Sequence, residues 1–186
     1  MPSVLEIPKS FTPAGGYGTE MPAPVLAGCT DALAENIPDF RGLWRAIDVR
    51  VNGEVAPAQL KVWQHLERIE QAGNRVVITA GGVLHDMYAD GTFENGINDV
   101  MAADFVTPLY VAATFENDVL VLRPQGLEGI EVKRWLEGEH LIWEYSTFFT
   151  VTLSFQTRQG FTIKLKTGLI KAAGQQLAVC TNQMEF

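Results

Sequence analysis

Few side chains in this sequence have the types and spacing to do chemistry. The first is His85, inside Val83-Leu84-His85-Asp86-Met87-Tyr88. An imidazole titrates near neutrality, so His85 could serve as a general base, with Tyr88 and Glu94, or Asp99, as acid or hydrogen-bonding assistants. It reads equally as a buried or rim histidine with a backbone partner. Strand side chains alternate strictly, so if Val83, His85 and Met87 face inward, Asp86 and Tyr88 face out. His85 and Asp86 share a cavity only if a bulge intervenes, and Gly81-Gly82 upstream offers a place for one.

The second is Arg134, between Val132 and Leu136. A guanidinium on an apolar face needs a carboxylate partner. A ligand would make it a clamp, whereas Glu144 on the next strand would make it a permanent structural pair. Trp143 and Tyr145, with Tyr110, Phe105, Phe115 and Phe148, supply aromatic surface that lines a cavity for a flat, apolar ligand or simply fills a core. The expected site therefore comprises His85, Tyr88 and Glu94 for catalysis and Arg134, Trp143, Tyr145, Glu144 and Tyr110 for ligand binding. His65, His85 and His140 have no metal-ligand spacing, and no cofactor is expected. Phosphate loops, nucleophile elbows and dinucleotide fingerprints are absent.

These residues must be positioned by strands. From Phe40 onward, apolar alternation is broken by Asn52-Gly53, Ala72-Gly73-Asn74, Asp90-Gly91, Glu116-Asn117-Asp118, Glu137-Gly138-Glu139, Gln159-Gly160 and Ala173-Gly174. Such residues tolerate the positive φ of tight hairpins. The candidate strands are 43–51, 61–71, 75–89, 92–100, 108–115, 118–124, 130–136, 140–146, 148–157, 161–168 and 175–183. Phe149, Val151, Leu153 and Phe155 form one apolar face against Thr150, Thr152, Ser154 and Gln156, and Phe161, Ile163 and Leu165 repeat the pattern. Residues 57–72 also carry a helical spacing at Leu60, Trp63, Leu66 and Ile69, but the alternation Trp63, His65, Glu67, Ile69 favours strand. A meander of this kind closes into a barrel, which leaves no sheet edge exposed; an open sandwich is the alternative.

Ahead of the strands, residues 1–39 read as an extended Pro- and Gly-rich arm packed on the barrel. Thr30-Asp31 would cap one short helix that Pro38 stops. Residues 40–186 form the barrel domain. The fold class is thus all-β, a single antiparallel meander closed into a barrel.

The opening Phe40-Arg41-Gly42-Leu43-Trp44 resembles the Phe-x-Gly-x-Trp start of calycin barrels, the lipocalins and fatty-acid-binding proteins. That resemblance implies a lipocalin-like β-barrel in which Gly42 permits close approach at the closed end and Trp44 plugs it. The Arg-x-Tyr carboxylate clamp of fatty-acid-binding proteins is absent from the C-terminal QLAVCTNQMEF, and the glycine-rich pattern of haem-binding nitrobindins does not follow Trp44. The resemblance therefore implies a fold rather than one ligand.

Composition restricts the partners. The 186 residues are 47% hydrophobic and carry 22 acidic against 14 basic side chains, a formal charge of -8. With no Lys/Arg cluster, such a surface repels nucleic acid. No apolar run approaches the roughly 20 residues of a membrane span, and the N-terminus lacks the features of a secretory signal. A cytoplasmic protein is expected, with a homodimer compatible with the composition. Cys29 and Cys180 leave a single disulfide open. The expected function is binding of a small, largely hydrophobic molecule, aromatic or anionic in part; the alternative is a cofactor-free lyase, isomerase or cyclase.

Overall fold

Turn chemistry sets the hairpins. Asn52 and Gly53 take φ of 50° and 84°, Asn117 takes 55° and Gly138 takes 61°, the left-handed values that let adjacent strands reverse within two or three residues. The computed structural model describes residues 2–147 and 149–157, and the backbone of 159–165 and 168–173. Its strands are β1 (Gly42–Val51), β2 (Glu54–Val55), β3 (Leu66–Ala72), β4 (Arg75–Ala80), β5 (Val83–Tyr88), β6 (Ile97–Val100), β7 (Pro108–Glu116), β8 (Val119–Pro124), β9 (Glu131–Glu137), β10 (His140–Ser146), β11 (Thr150–Thr157), β12 (Gln159–Leu165) and β13 (Gly168–Ala173). All pairing between these strands is antiparallel. The main sheet runs β5-β4-β3-β1-β11-β10-β9-β8-β7-β6, with β2 added to β1, while β12 and β13 pair with each other. The candidate strand at 175–183 lies outside the described residues, as does Cys180.

The two ends of this sheet approach one another: the Tyr88 N–H of β5 donates to Asn95 O at 2.9 Å. The result is a nearly closed barrel. Its interior is the alternate set Trp44, Ala46, Val49, Ile69, Val76, Ile78, Met87, Ile97, Val111, Ala113, Leu120, Leu122, Leu141, Val151, Leu153 and Phe155. A bulge between Ala46 and Asp48 shifts the register of β1 and turns Ile47 outward, which keeps both halves of this long strand facing the core.

One end is plugged. Trp44 is 4% exposed, and its indole N–H donates to Phe40 O at 2.7 Å. Phe40 is fully buried, tilts against Phe115 and donates its N–H to Gln71 Oε1. A Cβ on Gly42 would lie 3.4 Å from the Trp44 indole nitrogen, so the glycine does permit the close approach.

The arm lies across the outer face of β3–β5, where Val4, Leu26 and Cys29 pack on Ala72, Val77 and Leu84. It also sews the seam between β5 and β6. The Thr12 hydroxyl accepts from Leu84 N–H at 3.0 Å, and the Thr12 N–H and hydroxyl donate to Asp99 Oδ2 at 2.9 and 3.1 Å. Lys9 Nζ donates to Asn95 O and Gly96 O, each at 2.9 Å.

Several expectations need correction. Residues 31–36 form no helix. Asp31 spends its carboxylate on Val4 N–H rather than on a cap, and the chain runs extended beside Gly73, with Ala34 N–H donating to Gly73 O and Gly73 N–H to Ala32 O. A run of barely two turns cannot compete with such ready partners. Strand 61–71 begins only at Leu66, because Lys61–Gln64 forms a 3-10 turn. Gly81-Gly82 is no bulge within a strand 75–89: φ of 56° and 81° make it a two-residue hairpin turn that pairs Ala80 with Val83. Strand 92–100 shrinks to Ile97–Val100 because Asp90 draws the Thr92 N–H and hydroxyl and the Asn95 amide onto its carboxylate, side-chain bonds that compete with a ladder.

Gly96, just ahead of β6, sits tightly against the backbone of β7. A Cβ there would sit 1.9 Å from Val111 O, so Gly96→Ala must push the two strands apart. A loss of about 1–3 kcal/mol is expected for overpacking of this kind, measurable as a lower urea midpoint with unchanged slope.

Candidate functional site

Register divides the interior into two halves. Toward the end plugged by Trp44, the inward side chains, including Ile69, Val76, Met87, Leu141 and Phe155, are almost completely buried. Toward the other end, Leu60, Val62, Trp63, Leu109, Val132, Trp143, Tyr145 and Phe149 pack on that core but keep part of their surface accessible. Trp143 and Tyr145 stack, with centroids 6.3 Å apart and planes 12° from parallel, and Tyr145 tilts against Phe149 at 6.2 Å. These positions gather partly accessible aromatic rings at that end of the barrel. Residues 56–64 pack on the same cluster through Ala56, Leu60, Val62 and Trp63, and are folded by bonds from Leu60 N–H to Pro57 O and from the Trp63 indole to Pro57 O.

Beside Trp143 the interior becomes polar. Arg134 projects inward from β9 and Glu67 from β3, meeting at 3.1 Å (Nε to Oε1) and 3.0 Å (Nη2 to Oε2). Glu67 is fully buried and Arg134 is 5% exposed. Burial alone would raise the Glu67 carboxyl. The Arg134 charge and the hydrogen bonds from His65 and Arg134 outweigh it and hold the group at about 2. His65 rests on the Phe155 ring, centroids 5.5 Å apart, with Nε2 3.4 Å from Glu67 Oε2. Arg134 Nη1 is buried and finds no hydrogen-bond partner among the described residues.

His85 does face inward, paired across from Ile78. Its Nε2 lies 3.3 Å from Val100 O. Burial pushes its pKa down, with Arg134 adding to the fall, against the opposing Val100 bond and Asp99 charge. A carbonyl only accepts, so the neutral ring carries its proton on Nε2.

The other expected catalytic residues do not join it. Tyr88 points outward beneath the arm, its hydroxyl 3.5 Å from Val4 O and its ring under the Arg75 guanidinium. Glu94 is exposed in the turn before β6. Of the expected ligand-binding set, Arg134, Trp143 and Tyr145 lie together on the interior face. Tyr110 lies on the outer face, 47% exposed. Glu144 also faces out, accepting from the Ser146 hydroxyl at 3.0 Å. Glu144 is therefore not the partner of Arg134, since register sets it opposite Lys133 and Trp143 opposite Arg134. Phe148 lies outside the described residues, and Phe105 packs against Gly16 and Gly82 of the arm and first hairpins.

Sequence reading missed Glu67 and His65 as site residues. The signal was present, because the alternation His65, Glu67, Ile69 places all three on the face of a core isoleucine. Among the described residues no three His, Cys, Asp or Glu are placed to hold a metal ion, and no helix is long and apolar enough to cross a membrane.

No family model matches the chain, and no curated protein sequence matches it. Among solved structures it is similar to one titled "Human cRBP IV", at 16% identity and a TM-score of 0.45, over 64% of this chain and 98% of that one. The architecture is a nearly closed antiparallel meander barrel with Trp44 buried at one end.

Proposed function

We propose that this protein binds one small, largely hydrophobic molecule in the upper half of the barrel. The observation that carries the reading is the contrast between the sealed lower core and the accessible faces of Trp143, Tyr145, Val132 and Leu109 above it. Apolar side chains keep accessible surface inside a barrel where an apolar guest can cover it, and flat rings suit a flat or extended guest. The acid-base group expected around His85 is not assembled, because Tyr88 and Glu94 point elsewhere.

Nile red, an uncharged dye that brightens in apolar surroundings, tests the reading. The native protein should bind it saturably with one site. Trp143→Ala should weaken that binding about tenfold, equivalent to about 1.4 kcal/mol. Tyr110→Ala, on the outer face, should leave it unchanged. Loss of affinity in the outer-face variant with none at Trp143 would place the dye outside the barrel and defeat the proposal.

A further inference from the structure

We infer, on the reading just given, that the polar end of the bound molecule is uncharged: a carbonyl, ester, amide or hydroxyl rather than a carboxylate or an ammonium group. A lone inward arginine would attract an anion. Here the guanidinium is already matched by the Glu67 carboxylate through two hydrogen bonds, so the pair itself presents no net charge to the proposed binding chamber beside the aromatic rings. Burial pushes the His85 pKa down. His65 Nε2 lies 3.4 Å from Glu67 Oε2, and the Asp99 carboxylate is turned to the seam, where it accepts from Thr12 and from Val100 N–H.

A carboxylate entering this space would give up its hydration and meet aromatic rings and an ion pair already matched, which leaves a buried charge uncompensated. An ammonium group would fare the same. A neutral oxygen loses far less on entry. It also finds a use, because Arg134 Nη1 is the buried side-chain donor still lacking a partner among the described residues, and an unmade bond to a charged donor is costly to leave. The ion pair thus converts an anion-attracting cation into a directional donor for an uncharged acceptor.

Competition against bound Nile red by four ten-carbon compounds at pH 7.5 tests this: decanol, decanal, decanoate and decylammonium. Decanol and decanal should displace the dye at concentrations at least tenfold below those needed for decanoate or decylammonium. Glu67→Gln, which leaves Arg134 unmatched, should shift the preference toward decanoate by at least tenfold. Should that variant not fold, Glu67→Gln with Arg134→Gln should weaken decanol displacement while leaving decanoate poor. Decanoate equal to or better than decanol on the native protein overturns the inference, as does bound dye that none of the four displaces. A protein that fails to bind the dye at all refutes the earlier proposal instead, so the two failures are distinct.

Discussion

Arg75→Met is expected to cost about 3–5 kcal/mol, the range for breaking a buried ion pair by removing one partner. Arg75 is the first residue of β4, and its side chain is fully buried between the barrel wall and the arm. All of its guanidinium N–H groups are used. Nε and Nη2 donate to the two Asp86 oxygens at 2.8 and 2.7 Å. Nη1 donates to Val4 O and Ile7 O at 3.0 and 2.6 Å, and Nη2 also to Pro8 O at 2.9 Å.

Methionine preserves much of the volume but none of these bonds. Asp86 would keep the Ser10 N–H as a partner for its charge, Ile7 O and Pro8 O would lose the Arg75 donors, and Val4 O would keep the Tyr88 hydroxyl at 3.5 Å. For a domain whose total stability is about 5–15 kcal/mol, that is a large fraction. The loss should appear first in the arm, so trypsin should cut after Lys9 in the variant well below the urea midpoint of the barrel. Adding Asp86→Leu, which removes the stranded charge, should restore part of the stability. A change under about 1 kcal/mol with the arm still protected would show that apolar packing of Val4, Leu26 and Cys29 holds the arm without the latch.

The latch also marks where sequence reading reached its limit. Alternation reports which face a residue takes, and it placed Phe149, Val151, Leu153 and Phe155 inside correctly, while the Phe-x-Gly-x-Trp resemblance placed Trp44 at the plugged end. Alternation does not report which distant residue shares that face. Arg134 needed an acid, and the nearest in the chain's meander was Glu144, yet the same parity that turns Trp143 and Tyr145 inward turns Glu144 out. The true partner, Glu67, lies across the barrel from a strand sixty-seven residues away. The outward turn of Asp86 followed from alternation, but its burial beneath the arm together with Arg75 and Glu70 did not, because the arm's path is not periodic. Its Pro and Gly residues fix no register, and the hydrogen bonds that place it are isolated ones, as where Leu26 N–H donates to the Glu70 carboxylate or Tyr17 N–H to Gly82 O. Turns were legible where a single positive φ suffices, as at Asn117, and misread where two glycines could serve as bulge or turn.

The Glu67–Arg134 pair should make folding stability depend on acid in a defined window. The Glu67 carboxyl titrates at about 2 in the folded chain against an ordinary 4.5. Because the folded value is depressed, the unfolded chain takes up the proton first as pH falls. The stabilisation is therefore complete above about pH 4.5 and is lost progressively toward pH 2. A shift of this size in a fully buried group corresponds to a loss of about 3 kcal/mol. Urea midpoints measured from pH 7 down to pH 2.5 should fall steeply below pH 4.5 in the native protein. Glu67→Gln removes the titrating group, so its curve should be flatter in that window, although its stability at pH 7 should be lower because Arg134 is left buried and unmatched. Glu67→Met with Arg134→Met, which leaves neither charge, should combine the flatter profile with stability near or above that of the native chain, since well-packed apolar replacements of buried ion pairs are often neutral or stabilising. If the native and Glu67→Gln profiles run parallel from pH 4.5 to 2.5, the acid sensitivity resides in other carboxylates and the interior pair contributes nothing that protons can remove.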